Sequence, residues 1–198
     1  IEKSLCAAET LQEVEDIYRP FRPKRRTRAT VARERGLEPL AQKILAQEAP
    51  VSAEEVASFV DPDKGVETAD EALAGALDII AEIISDDAEM RKTIRDMAYK
   101  KGTVQTIGLT ERVSTYSMYY DFKEPVARIV SHRILAINRG EREKFLQVKF
   151  LVPDEDLVNV IKAKYIKNLS PSSELIERAV EDAYKRLIWP AIEREIRN

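Results

Sequence analysis

Apolar residues recur every three or four positions along most of this chain, which is the spacing of helices that bury one face. The longest such stretch runs from Thr68 to Ser85. Stretches at 5–18, 88–100 and 154–168 follow the same spacing, and a last one runs from Ser170 toward Asn198. The pattern therefore predicts a mainly α protein. In the longest stretch, the apolar stripe consists of Leu73, Ala76, Leu77, Ile80, Ile83 and Ile84.

Residues that cap or break helices mark several of the predicted ends. Ser52 with Glu55, and Thr68 with Glu71, have the spacing of capping boxes, in which each side chain accepts a backbone N–H from the other residue. Pro190 lies inside the last helical stretch. Because proline lacks the N–H that the helical ladder needs, it should kink or divide that helix.

A single stretch, residues 145–152, has the apolar and partly alternating character of a β-strand, and Pro153 closes it. No partner strand stands out, and residues 103–130 have no clear assignment. We therefore expect a multi-helical scaffold with a minor strand element, truncated at both ends. The expected regions are 1–66, helical with a basic hinge, and 67–198, which ends in a long C-terminal helix.

Charge is distributed unevenly, although the formal net charge is only −3. Residues 48–90 carry 13 acidic side chains and one basic one, whereas residues 19–35 carry eight basic side chains and one acidic one. The basic stretch is suited to a polyanion such as nucleic acid. The alternative is that the acidic and basic blocks pair with each other or stay solvated.

The residue types that catalysis needs are scarce. One histidine, His132, and one cysteine, Cys6, cannot complete a zinc site, and a single cysteine cannot form an internal disulfide. No glycine-rich phosphate loop is present. No apolar run approaches the ~20 residues of a membrane span. We therefore expect no enzyme activity, no catalytic residue, no metal site, no cofactor and no membrane partner.

The basic hinge, residues 19–35, is the sharpest candidate for a functional site. Prolines bound its first half and keep it extended, arginine forks suit phosphates, and a helix start near Thr27 offers backbone donors. The alternative is that its arginines bind carboxylates elsewhere in the protein. The predicted nucleic-acid-binding residues are Lys24, Arg25, Arg26 and Arg28 for phosphates, with Tyr18 and Phe21 to stack on bases.

Two weaker basic patches are also apparent. Each combines three cationic side chains within one short stretch of sequence. The first contains Lys162, Lys164 and Lys167 with Tyr165, and the second contains Arg133, Arg139 and Arg142.

Three blocks of sequence are distinctive. The first is YRPFRPKRRTRATVARERGLEPL at 18–40, the second is YYDFKEPV at 119–126 followed by SHRILAINRGE at 131–141, and the third is AYKRLIWP at 183–190. Together, and in this order, they resemble the Tex family of bacterial transcription accessory proteins. One departure is Val130, where the family pattern has proline, and it leaves the start of the following helix less constrained.

The resemblance implies a cytoplasmic, nucleic-acid-binding protein associated with transcription, related in architecture to a eukaryotic transcription elongation factor. It also implies a nuclease-like but non-catalytic domain, helix-hairpin-helix elements and an S1 domain in full-length members, with the S1 domain binding RNA most strongly. This chain would be the N-terminal helical region, a non-catalytic scaffold.

Nucleic acid, either RNA or DNA and without sequence preference, would be bound through the full-length protein, and the transcription machinery is a further expected partner. The alternative is a protein–protein interaction or structural module with no nucleic-acid binding of its own.

Overall fold

The computed structural model describes residues 2–22, 26–167 and 171–197, apart from the side chains of Lys3, Ser4 and Pro171. These residues are mainly helical, as predicted. The α-helices are α1 (Glu2–Cys6), α2 (Leu11–Tyr18), α3 (Arg28–Glu34), α4 (Glu38–Ala46), α5 (Ala53–Ala57), α6 (Ala69–Ser85), α7 (Ala88–Lys101), α8 (Ser131–Arg142), α9 (Asp154–Tyr165), α10 (Pro171–Asp182) and α11 (Trp189–Arg197). The β-strands are β1 (Thr103–Gly108), β2 (Asp121–Pro125) and β3 (Leu146–Leu151).

The chain divides into two units. Unit 1 consists of Ile1–Lys92 and Val158–Ile188, and unit 2 consists of Thr93–Leu157 and Trp189–Asn198. Helices α7 and α9 contribute residues to both units. The division at residue 66 that the sequence suggests stays a prediction.

Helix α6 is the central element of unit 1. Its apolar residues are spread over a broad arc, so several neighbours can bury it, and α3, α4, α5 and α10 all pack against it. Ile83, which the sequence pattern assigned to the apolar stripe, is exposed, and Ile79 is buried instead. The fully buried apolar residues of α6 are Ala72, Ala76, Ile79, Ile80, Ala81 and Ile84.

Gly75 allows α6 to approach the turn between α3 and α4 closely. A Cβ atom at position 75 would lie 2.4 Å from Leu37 Cδ1 and 3.3 Å from Ala32 Cβ. Leu37 and Ala32 are both buried, so neither can move aside freely. The absence of a side chain at this position therefore sets the distance between α6 and the basic segment that precedes it in the chain.

The capping residues behave largely as predicted. Ser52 and Glu55 form a complete capping box at the start of α5. Thr68 Oγ1 accepts the N–H of Glu71 at 3.2 Å, as expected. The Glu71 carboxylate, however, accepts the N–H of Glu67 at 2.7 Å, one residue earlier than the capping box requires.

The strand predicted at 145–152 is β3, but the expectation that it lacks a partner in this chain was wrong. Strand β1 pairs with β3 on one side and with β2 on the other, and both pairings are antiparallel. The sequence did not predict β1 and β2. In β1, Val104 and Thr106 alternate with exposed or half-buried residues, and β2 is mostly charged and ends at Pro125. Only one face of this sheet is buried, so its strands do not read as apolar runs.

Helix α8 packs against β3, where Gly140 makes room for Leu146. Helix α11 packs against α8, and the Arg197 guanidinium lies 4.8 Å from the centre of the Phe150 ring. The residues between α10 and α11, Ala183–Ile188, are π-helical. Pro190 is the second residue of α11, and the α-helical hydrogen-bonding pattern changes to a π-helical one just before it, while helical structure continues through the proline.

Among the described residues, the helices are either too short or too polar to cross a bilayer.

We predict that Gly75→Val lowers the free energy of unfolding by about 1–3 kcal/mol, because the new side chain overlaps Leu37 and Ala32 in a packed core. Urea denaturation followed by circular dichroism measures this change. The matched control is Ala74→Val on the exposed side of the same helix, which should change stability by less than about 0.7 kcal/mol, the range of helix propensities. Equal losses for the two variants would show that close packing at position 75 is unimportant.

Candidate nucleic-acid interface

The basic hinge begins where α2 ends. Tyr18 is the last residue of α2, and a short 3-10 turn, Arg19–Phe21, follows it. Tyr18 and Phe21 are 51% and 55% exposed, so part of each aromatic ring is accessible for stacking. Two of the predicted phosphate-binding residues, Lys24 and Arg25, lie outside the described residues.

Thr27 starts α3 as predicted. Its Oγ1 accepts the N–H of Thr30 at 3.0 Å and donates to a carboxylate oxygen of Glu82 at 3.0 Å. The Thr30 N–H, which the sequence offered as a donor to phosphate, is therefore already occupied. Thr27 instead anchors the middle of the hinge to α6.

Arg19 and Arg33 of the hinge bind carboxylates of unit 1 that are largely shielded from solvent. Arg33 donates to Glu82 Oε1 at 2.7 Å, and Arg19 donates to Asp86 Oδ1 at 3.2 Å. The Glu82 side chain is only 10% exposed, so this hydrogen bond holds a charge that would be costly to bury alone. These contacts match the structural alternative for this segment, in which arginines tie the hinge to the protein.

Arg26 and Arg28 are placed differently. Arg26 pairs with Glu34 at 2.9 Å, but both side chains are more than half exposed, and a pair of this kind contributes little to stability. Arg28 is exposed and makes no ion pair with any described residue. The hinge thus contains both structural arginines and arginines that remain available to a ligand.

A groove of about 650 Å³ lies between α3 and α6, and the available arginines line it. Arg28 and Arg35 are seven residues apart, or about two helical turns and 10 Å along the axis, so both lie on the same side. Arg35 also makes no ion pair with any described residue. The groove is lined by Arg26, Thr27, Arg28, Val31, Ala32, Arg35, Leu37, Glu71, Ala74, Gly75 and Asp78.

The acidic side chains of the groove are already engaged. Asp78 accepts a hydrogen bond from Arg186 at 2.8 Å, and Glu71 accepts the N–H of Glu67. Burial raises the pKa of Asp78, although the nearby positive charges of Arg186 and Arg28 oppose this effect. Asp78 is therefore paired with a cation, and the three arginines of the groove outnumber its one carboxylate without an ion pair among the described residues, Glu71.

Arg35 was not among the residues predicted from the sequence. Its spacing of seven from Arg28 was visible in the chain, but the sequence did not show that both residues face α6. Which side of α3 faces α6 is set by tertiary packing, including the close approach at Gly75.

The two weaker basic patches are largely neutralised within the chain. Lys164 contacts Asp87 at 2.7 Å and Glu89 at 2.8 Å. Tyr165 donates to Asp87 at 2.7 Å. In the second patch, Arg133 binds Glu124 and Arg139 binds Glu143, each at 2.8 Å, whereas Arg142 is exposed.

Asp87 is the centre of a small polar network in unit 1. Burial by itself would raise the pKa of Asp87, but hydrogen bonds from Lys164, from Tyr165 and from the backbone N–H of Met90 outweigh burial and hold the pKa below its usual value. Burial and the bond to Asp87 raise the pKa of Tyr165. The network therefore stabilises unit 1 only while Asp87 is ionised.

Comparison with known proteins identifies the family. A family described as Tex central region-like matches residues 47–198, which is most of the chain. The chain belongs to the Tex family. The first distinctive block, 18–40, contains the basic hinge and α3. The second, at 119–126 and 131–141, contains β2 and most of α8. The third, 183–190, contains the π-helical segment.

Individual Tex relatives agree with this assignment. YdcI of Bacillus subtilis is 46% identical over 194 residues, which cover 94% of this chain and 27% of YdcI. The transcriptional accessory protein Tex of Neisseria gonorrhoeae is 33% identical over 196 residues, with coverages of 93% and 25%. Human S1 RNA-binding domain-containing protein 1 is 30% identical over 213 residues, with coverages of 98% and 21%. The chain spans about a quarter of the length of these relatives.

We predict that Arg33→Ala lowers the free energy of unfolding by about 1–3 kcal/mol, because it removes a charged hydrogen bond to a buried carboxylate. Arg28→Ala should change stability by less than about 0.5 kcal/mol, since Arg28 is exposed and makes no ion pair with a described carboxylate. Urea denaturation of both variants measures the difference. A loss of the same size in Arg28→Ala would contradict the division of the hinge into structural and available arginines.

We also predict that Asp87→Asn destabilises the protein near neutral pH by about 1–2 kcal/mol, because the carboxylate loses its charge. The folded-state pKa of Asp87 is lowered, so its contribution is present above the unfolded-state pKa of about 3.9 and is lost as pH falls through the folded-state value. The stability gap between the two proteins should therefore close in acid. Denaturation of both proteins near neutral pH and in acid measures this gap in stability, with the exposed Asp63→Asn variant as the control. A gap that does not change with pH would contradict the prediction.

Proposed function

We propose that this chain is a non-catalytic scaffold portion of a nucleic-acid-binding transcription accessory protein and that its basic hinge adds weak contacts to phosphates. The contacts are made by Lys24, Arg25, Arg26 and Arg28, with Tyr18 and Phe21 stacking on bases. The observation that carries the proposal is the groove beside α3, where Arg28 and Arg35 have no carboxylate partner among the described residues.

The geometry of the groove favours recognition of a phosphate backbone over recognition of base edges. Arg28 and Arg35, whose backbone positions lie about 10 Å apart along the helix axis, can contact separate phosphates of one strand. Such contacts carry no sequence information, because every nucleotide has the same phosphate. Tyr18 and Phe21 add stacking, which every base can supply.

The names of the relatives support the wider role. One bacterial relative is called a transcriptional accessory protein, and the human relative is named for an S1 RNA-binding domain. We therefore assign this chain to a cytoplasmic protein that works with nucleic acid, either RNA or DNA, and with the transcription machinery. Since the chain covers about a quarter of those relatives, we assign the strongest binding to the rest of the protein and a minor contribution to the hinge.

The second candidate function is a structural or protein-interaction module without nucleic-acid binding. The bonds from Arg19 to Asp86 and from Arg33 to Glu82 favour it, because they use hinge arginines to hold the fold together. In this case the acidic stretch 48–90 would present the surface for a partner. The two functions predict different effects on nucleic-acid binding when the charge of exposed hinge arginines is reversed.

We predict that Arg26→Glu combined with Arg28→Glu weakens binding to a fluorescein-labelled single-stranded RNA and to a duplex DNA, with little change in the melting temperature. Fluorescence anisotropy across a range of salt concentrations measures this. For RNA, the slope of log affinity against log salt should fall by roughly 0.7 for each phosphate contact that is lost.

The control for this experiment is Arg128→Glu combined with Arg178→Glu, which makes the same charge change at two exposed arginines outside the hinge. Equal weakening by both double variants would mean that only net charge matters. No binding by the unmodified chain, even at low salt, would exclude nucleic-acid contact by this region and leave the structural module as its function.

A further inference from the structure

The three-stranded sheet of unit 2 has one covered face and one open face. On the covered face, Val104, Thr106, Leu146 and Val148 are buried, and α8 packs against β3 there. The alternate residues of each strand point the other way, and all of these are exposed or half-buried. The open face consists of Thr103, Gln105 and Ile107 of β1, Asp121, Lys123 and Pro125 of β2, and Gln147, Lys149 and Leu151 of β3.

The strand register places two lysines in one row across the open face. Gln105 of the central strand lies directly opposite Lys123 on one side and opposite Lys149 on the other. With neighbouring strands about 4.8 Å apart, the two lysine Cα atoms are about 10 Å apart. Both lysines are exposed, and neither makes an ion pair with a described residue. The middle of the face is therefore a cationic row with an amide between its two charges.

Aliphatic side chains lie on either side of this row. Ile107 is 42% exposed and lies one row away toward the β1–β2 loop, and Leu151 is 40% exposed and lies one row away in the opposite direction. Leu109, 57% exposed, continues the alternation of β1, and its N–H bonds to the carbonyl of Phe145 at 2.8 Å. An open sheet face that only met water would ordinarily be polar at these positions. Aliphatic groups on both sides of a row of unpaired lysines give this face the mixed chemistry that an amphipathic acidic partner can cover.

We propose that this open face binds an acidic amphipathic segment of a partner protein. Carboxylates of the segment would lie over Lys123 and Lys149, and its apolar side chains would cover Ile107 and Leu151. Asp121, at the corner of the face beside Ile107, orients the segment, because it repels carboxylates from that corner.

A protein segment fits this face better than a nucleic acid does. Base recognition on an open sheet uses aromatic side chains as stacking platforms, and the nine positions of this face carry none. Aliphatic groups gain instead from burial against other aliphatic groups. The proposal is independent of the basic hinge, which lies in unit 1.

Selection of a random peptide library displayed on phage against the immobilised chain tests the proposal. Selected peptides should be enriched in Asp and Glu and should also contain Leu, Ile, Val or Phe. A fluorescein-labelled synthetic copy of the most enriched peptide then serves as the probe in anisotropy titrations. Lys123→Glu combined with Lys149→Glu should weaken its binding by roughly tenfold or more, because attraction becomes repulsion.

A control variant separates this surface from net charge. Lys64→Glu combined with Lys185→Glu makes the same charge change at two exposed lysines of unit 1 and should leave peptide affinity nearly unchanged. Ile107→Thr keeps strand propensity but removes apolar surface, and it should weaken peptide binding without affecting binding of a single-stranded RNA. If the charge-reversed sheet variant folds poorly by circular dichroism, Lys123→Gln with Lys149→Gln replaces it and should still weaken binding.

Three results would overturn the proposal. Selection of peptides without acidic residues is the first, and equal loss of affinity in the sheet and control variants is the second. The third is loss of RNA binding in the sheet variant with peptide binding unchanged, which would make the face a nucleic-acid surface. Failure of the phosphate contacts proposed for the hinge would appear in the hinge variants and would leave these measurements unaffected.

Discussion

Burial of the apolar surface of α6 is the interaction on which unit 1 depends. Six of its alanine and isoleucine side chains are completely buried, and a helix with so broad an apolar surface needs partners on several sides. Helices α3, α4, α5 and α10 and the π-helical segment supply them. Because these partners come from both ends of the sequence, the hydrophobic effect at one helix brings together regions that lie about a hundred residues apart.

The same helix determines how charge is divided in the basic hinge. Glu82 of α6 accepts Arg33, Asp78 accepts Arg186, and Gly75 lets α3 approach closely enough to form a groove. Glu82 and Asp78 of α6 are therefore satisfied by the chain itself, whereas Arg28 and Arg35, which line the groove, make no ion pair with a described residue. Structural ion pairs and available cations coexist in one short segment because α6 presents acidic groups only along part of its surface.

Unit 2 is organised on a different principle. Its three-stranded sheet buries one face and leaves the other open, as antiparallel sheets commonly do. Strand register, and not helical periodicity, decides which side chains become neighbours there, and it aligns Lys123, Gln105 and Lys149. The chain thus carries two surfaces of different chemistry, an arginine-lined groove in unit 1 and a mixed cationic and aliphatic sheet face in unit 2. Such a division is consistent with a scaffold that holds more than one partner.

The sequence by itself determined the helical class, the capping box at Ser52 and the family, because local spacing and local chemistry are sufficient for each of these. It located the basic hinge but did not separate Arg33, which binds a carboxylate, from Arg28, which pairs with no carboxylate in the described part of the chain. It also missed β1 and β2, whose half-polar patterns resemble loops, and hence the lysine row. These features depend on pairing between residues far apart in the chain, such as Arg33 with Glu82 and Gln105 with Lys149, and only the tertiary structure decides such pairs.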